Sequence, residues 1–161
     1  MTNGSTDNLA DFEAVESLLT VWLKARRDLL VSYTAIAATL ERAADADNGA
    51  LNPALERLCQ QLVDYTSAGH FEVFVALQRE ARGFDDGTDE VGEELIPSIG
   101  DTTEVILGFE EKYPGASVQS LDADLSLLGE VLESRFALED RLIAFLHRIH
   151  AVVPLTPPPE S

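Results

Sequence analysis

The stretch LDADLSLLGEVLESRFALEDRLIAFLHRIHA, residues 121–151, decides the fold class. Its side chains form two neighbouring seven-residue rows, one of Leu125, Leu132, Glu139 and Leu146, the other of Leu128, Arg135, Leu142 and Ile149. That spacing is helical, and the mainly apolar rows form one stripe suited to burial against other helices. Glu139 and Arg135 stand where the pattern asks for apolar side chains. Four residues apart on one helix face, they are within reach of each other.

Upstream, Val15, Leu19, Trp22, Leu29, Tyr33, Ile36 and Leu40 repeat the helical pattern, and Asn8 or Asp11 is a good N-cap for a first helix. The same stripe turns Arg26 inward. Asp45-Ala46-Asp47-Asn48-Gly49 reads as a break, and Pro53 suits the first turn of a second helix. That helix carries Leu55, Leu58, Cys59, Leu62, Val63, Val73, Phe74 and Leu77. A turn is predicted at residues 83–87 and a third helix over about residues 90–112, kinked or split by Pro97 and Gly100. Tyr113-Pro114-Gly115-Ala116 ends it. Long amphipathic helices with short connections predict an all-α, antiparallel up-down four-helix bundle with a kinked third helix. The expected division is a flexible tail at 1–10, the bundle at 11–152, and a Pro-rich disordered tail at 153–161.

The length of 161 residues fits one such domain with a sizeable core, and 45% apolar with 25% charged residues marks a globular chain. No apolar run approaches the roughly 20 residues that span a bilayer. The first residues lack a basic, apolar leader, and the single Cys59 can form no internal disulfide. These features point to the cytoplasm. With 29 Asp and Glu against 11 Lys and Arg, the formal charge is −18. Nucleic-acid phosphates and anionic membranes would repel this chain, whereas a basic protein surface would attract it. A salt-adapted host would produce the same acidic excess, and the two causes are not exclusive.

Charges buried alone cost several kcal/mol each, so Arg26, Arg135, Glu139 and a possible fourth member, Asp64, should pair across the bundle. Such a network either sets helix register or lines a cavity for a ligand; the sequence leaves both open. Asp64, Ser67, Phe71 and Phe74 form a second candidate, a face rotated away from the Leu55, Leu62 and Val73 stripe. An aromatic beside a carboxylate suits a protein-binding surface, unless a neighbouring helix covers Phe71. Catalysis finds little support. No Glu-x-x-His pair for a di-iron centre, phosphate-binding glycine loop or nucleophile elbow is present. Cys59 falls on the apolar stripe, and His147 and His150 sit at a helix end that favours a cation. No metal or cofactor is expected.

Three segments carry a resemblance. They are Leu62-Val63-Asp64-Tyr65-Thr66-Ser67-Ala68-Gly69-His70-Phe71-Glu72-Val73-Phe74, the run from Leu132 to Ile143, and Trp22-Leu23 with Arg26, Arg27, Leu29, Leu30 and Val31. In order and spacing these are similar to the Rsd/AlgQ family, over about residues 15–150. Residues 90–120 match its pattern poorly. The resemblance implies an anti-sigma factor. Such a protein binds the carboxy-terminal promoter-recognition region of the housekeeping sigma factor and limits that factor's use by RNA polymerase, typically as growth slows. That region carries a basic helix-turn-helix, which the acidic balance would complement. Within the motif, Asp64, Ser67 and Phe71 are the implied sigma contacts. An adaptor for another regulatory or metabolic protein is the alternative reading, and a small-molecule site at the central Arg and Glu residues is the third.

Overall fold

A computed structural model describes residues 3–42, 48–113, 115–116 and 118–151, and among these residues every regular element is helical. The elements are α1 (Asn3–Arg42), α2 (Asn48–Ala68), α3 (Phe74–Phe84), α4 (Asp89–Lys112), α5 (Leu121–Ile143) and the short α6 (Ile149–Ala151). A π-helical turn, Gly69–Val73, joins α2 to α3, and a second, Ala144–Arg148, joins α5 to α6. The described residues thus form four long helical rods. No helix among the described residues is long and apolar enough to cross a membrane.

The sequence pattern explains the π turns. Gly69, Val73, Leu77 and Ala81 are buried at steps of four. On a helix of about 3.6 residues per turn, each such step drifts by roughly 40°. Three steps would carry the stripe well off the core. One extra residue in the helix, which is what a π turn supplies, takes up most of that drift. The same reasoning holds for Glu139, Ile143 and His147 at the other π turn, all of them buried.

Several boundaries differ from the sequence reading. α1 begins at Asn3, ahead of the expected cap at Asn8 or Asp11. α2 begins at Asn48, so Pro53 stands in its second turn, not its first. Of the break expected at Asp45-Ala46-Asp47-Asn48-Gly49, the first three residues lie outside the described residues, as does the Pro-rich tail, and Asn48 and Gly49 already belong to α2. α4 runs unbroken through Pro97 and Gly100 and is not split. Pro97 is exposed, so water can serve the carbonyl that its missing N–H leaves unbonded. Before α4, Asp85 adopts a left-handed φ of 53° and caps α3 through its N–H to the Arg82 carbonyl at 3.1 Å. Asp86 Oδ1 accepts from Thr88 N at 3.2 Å and Thr88 Oγ1 at 2.7 Å. Asp89 and Glu90 then occupy the first turn, where negative charge suits the helix dipole.

Trp22 is the centre of the α1–α2 packing. Its ring stacks on Tyr65 at 4.7 Å and meets Phe74 edge-on at 5.7 Å, and its Nε1 donates to the Tyr65 carbonyl at 3.1 Å. Polar contacts fix the other rods. Tyr33 Oη donates to the Leu125 carbonyl at 2.8 Å, Arg26 reaches Glu139, and Glu16 reaches His147, so contacts of α1 with the last rod run in opposite chain directions.

Candidate functional site

Two groups of residues follow from this scaffold, one inside and one on the surface. Inside, Arg135 and Glu139 are fully buried, and their Nε and Oε2 lie 2.8 Å apart. Arg26 on α1 completes the pair: its terminal nitrogens meet Glu139 Oε1 at 3.0 Å and Asp140 Oδ1 at 2.8 Å. Its Nε donates to Tyr65 Oη at 3.1 Å, and that hydroxyl donates to Glu139 Oε1. The Arg26 guanidinium also lies 4.6 Å from the Phe136 ring centre. The other side of Arg135 is bound to α4. One terminal nitrogen donates to Thr103 Oγ1 at 2.7 Å, Thr102 Oγ1 at 3.1 Å and the Ile99 carbonyl at 3.4 Å. The second lies 3.5 Å from His70 Nε2, which is 2.9 Å from Thr103 Oγ1. Burial pushes the Glu139 carboxyl above its ordinary value, while Arg135, Tyr65 and Arg26 pull the other way. Burial likewise raises Tyr65, whose hydroxyl therefore stays a donor.

Arg26, Arg135 and Glu139 are thus brought together as the spacing predicted. Asp64 is not part of the network. It is exposed and accepts from Gln60 Nε2 at 2.9 Å. A cleft of about 310 Å³ opens between α1 and α2, lined by Leu18, Val21, Trp22, Ala25, Asp64 and Glu72 among others. Arg26, Arg135 and Glu139 do not line it.

On the surface, Asp64 and Ser67 are exposed and Phe71 is 80% exposed, so no neighbouring helix covers that ring. Phe74 corrects the sequence reading: it is 3% exposed and packed against Trp22 and His70. The π turn is the reason, since it separates the outward phase of Phe71 from the inward phase of Phe74. Val21, also well exposed, adds apolar surface on the α1 side of the cleft. The result is an apolar cleft edged by the carboxylates of Asp28, Asp64 and Glu72, with an aromatic ring standing clear nearby. Asp28 already has a partner in Lys24 at 3.0 Å. Chemically the face suits a basic side chain beside an apolar one.

A third cluster escaped the sequence reading. His147 is fully buried, with Nδ1 2.7 Å from Glu80 Oε1 and Nε2 2.6 Å from Glu16 Oε1. Both ring nitrogens face carboxylate oxygens, an arrangement that favours the doubly protonated ring. Burial works against that charge, but Glu80 and Glu16 outweigh it and raise the pKa. His150 stacks on Phe84 at 3.7 Å and bonds Asp86 Oδ2 at 2.9 Å. Thr88, ahead of His150, holds the Asp86 carboxyl at about 2. These histidines tie the last rod to α1 and α3, where the sequence reading saw only a helix end. The signal was Glu80, a carboxylate beside the buried stripe of Val73, Leu77 and Ala81. Among the described residues no group of three or more His, Cys, Asp or Glu is placed to hold a metal ion.

Comparison with known proteins gives a consistent match. Residues 1–147 fit the family described as "Regulator of RNA polymerase sigma(70) subunit, Rsd/AlgQ". The chain is similar to the "Regulator of sigma D" of Yersinia enterocolitica, 32% identical over 132 residues that cover 78% of each chain. The protein of that name from Yersinia pseudotuberculosis is 33% identical, over 78% of this chain and 77% of that one. The one from Pectobacterium atrosepticum is 31% identical, over 79% of this chain and 86% of that one. No solved structure matches the chain.

Proposed function

This chain belongs to the Rsd/AlgQ family of regulators of the RNA polymerase sigma(70) subunit, and on that premise we propose that it binds the carboxy-terminal promoter-recognition region of the housekeeping sigma factor. It thereby limits use of that factor by RNA polymerase, acting in the cytoplasm by binding and without catalysis. The observation that carries this reading is the α1–α2 face. Asp64, Ser67 and Phe71 share an exposed surface beside an acid-edged apolar cleft, on a chain with a formal charge of −18. A basic helix-turn-helix presents the complementary chemistry, cations to meet the carboxylates and aliphatic stems to cover Phe71. Phe74 serves from beneath, as part of the wall behind that surface. The order of contacts along the rods supports an antiparallel up-down bundle as the frame, with Pro97 and Gly100 placed to bend its third rod. The acidic excess argues against direct contact with nucleic acid.

The test is a titration with the carboxy-terminal domain of the host's primary sigma factor, wild type beside Phe71→Ala, with circular dichroism showing both folded. Binding by the wild type and its marked weakening in the variant supports the proposal. Absence of wild-type binding at low salt refutes it.

A further inference from the structure

We infer that His70 is a positioning residue for the docking face: by bonding Thr103 on α4, it holds the π turn Gly69–Val73 in the register that turns Phe71 outward. This inference rests on the reading of the Asp64, Ser67 and Phe71 face as partner-binding.

The π turn is required by the drift of the buried stripe, but that drift does not fix which residue is the extra one. Two contacts do. Gly69 lies against Trp22, where a Cβ would come within 3.1 Å of the indole Cζ2, so the backbone is pressed close to α1 at that point. Its neighbour His70 reaches the other way. His70 Nε2 lies 2.9 Å from the Thr103 hydroxyl and 3.5 Å from an Arg135 nitrogen, and its ring stands edge-on to Phe74 at 5.0 Å. Arg135 can only donate and the Thr103 hydroxyl can donate as well, so Nε2 is assigned as the unprotonated nitrogen and His70 as a neutral acceptor. Burial, followed by the nearby Arg135 charge, holds its pKa below the ordinary value, which agrees with that state. With Gly69 pressed to α1 and His70 bound to α4, the next residue, Phe71, has only the solvent side left, and it is 80% exposed. If the extra residue moved one place along the helix, Phe71 would swing by about 100° relative to Asp64 and the cleft.

The experiment combines a double-mutant cycle with amide exchange, on the full chain. His70→Ala removes the acceptor; His70→Gln keeps an acceptor atom at similar reach; Thr103→Val removes the bond from the α4 side and covers the case that His70→Ala does not fold. The expected result is sigma-domain affinity weakened about tenfold by His70→Ala or Thr103→Val and largely restored by His70→Gln. In a Phe71→Ala background the same changes should have little further effect, because the ring they position is gone. Amide protection at residues 69–73 should fall in His70→Ala and return in His70→Gln. Equal effects with and without Phe71 would overturn the inference, since a purely structural residue behaves that way. Unchanged protection at 69–73 would also overturn it, and that arm needs no partner. A wild type that fails to bind the sigma domain would refute the proposed function and leave the exchange result to decide on His70.

Discussion

Replacing Glu139 by glutamine keeps the size of the side chain and removes the carboxylate that, among the described residues, Arg135 is paired with. Arg135 is fully buried, and its remaining partners are the neutral Thr102, Thr103, Ile99 carbonyl and His70. Arg26 keeps Asp140 at 2.8 Å, so the loss falls mainly on Arg135. Breaking a buried pair from one side costs about 3–5 kcal/mol, because a charge is left uncompensated away from water. A domain of this size has about 5–15 kcal/mol of stability in total, so the change should remove a large share of it. At roughly 2–4 °C per kcal/mol, the melting temperature should fall by about 10 °C. Asp140→Asn makes the contrast. Asp140 is 61% exposed, and solvent screening limits its pair to less than about 1 kcal/mol. Urea denaturation followed at 222 nm, with both variants beside wild type, gives the comparison. A Glu139→Gln midpoint within error of Asp140→Asn would refute the claim that a desolvated ion network organises this core.

Three further outcomes follow from the geometry. Asp64→Ala should weaken sigma-domain binding by about 2 kcal/mol and flatten its salt dependence; a change below about 0.5 kcal/mol in a titration at two ionic strengths would place Asp64 at the rim. Gly69→Ala should destabilise by about 1–3 kcal/mol, since the added methyl meets the Trp22 ring at 3.1 Å, whereas Gly108→Ala, with open space around it, should be neutral or stabilising in the same thermal melt. His147 has a raised pKa in the fold, so its contribution is fully present below the unfolded value near 6.5 and fades as pH climbs through the folded value. The stability gap between wild type and His147→Gln should therefore shrink with rising pH above about 6.5. A gap that widens with pH in denaturation series would contradict the doubly protonated ring. His70, held neutral, acts in the opposite sense and is common to both proteins, so it cancels in that difference.

How much of this was legible in the sequence depends on whether a signal lay within one helix or between helices. The apolar rows named the helices, and the charges interrupting them named Arg26, Arg135 and Glu139, because an unpaired charge in such a row is too costly to stand. The same rule applied to Glu80 would have called for a buried partner, which the structure shows to be His147. What the rule cannot give is the partner's identity, since Thr102, Thr103 and Tyr65 reach Arg135, Glu139 and Arg26 from other rods. The fate of Phe74 shows the other limit. Period counting at about 3.6 residues per turn put it on the Asp64 face, and one inserted residue moved it to the core. The four-residue steps from Gly69 to Ala81 account for that insertion once the burial of those residues is known. The residues that look like a docking motif therefore hold two kinds of information at once. On the proposed reading, Asp64, Ser67 and Phe71 would supply the docking chemistry, while Gly69, His70 and Phe74 would set the phase that presents it. A substitution in the second set can abolish binding without touching a partner, which makes the coupling between His70 and Phe71, and not either residue alone, the quantity that separates docking chemistry from the scaffold beneath it.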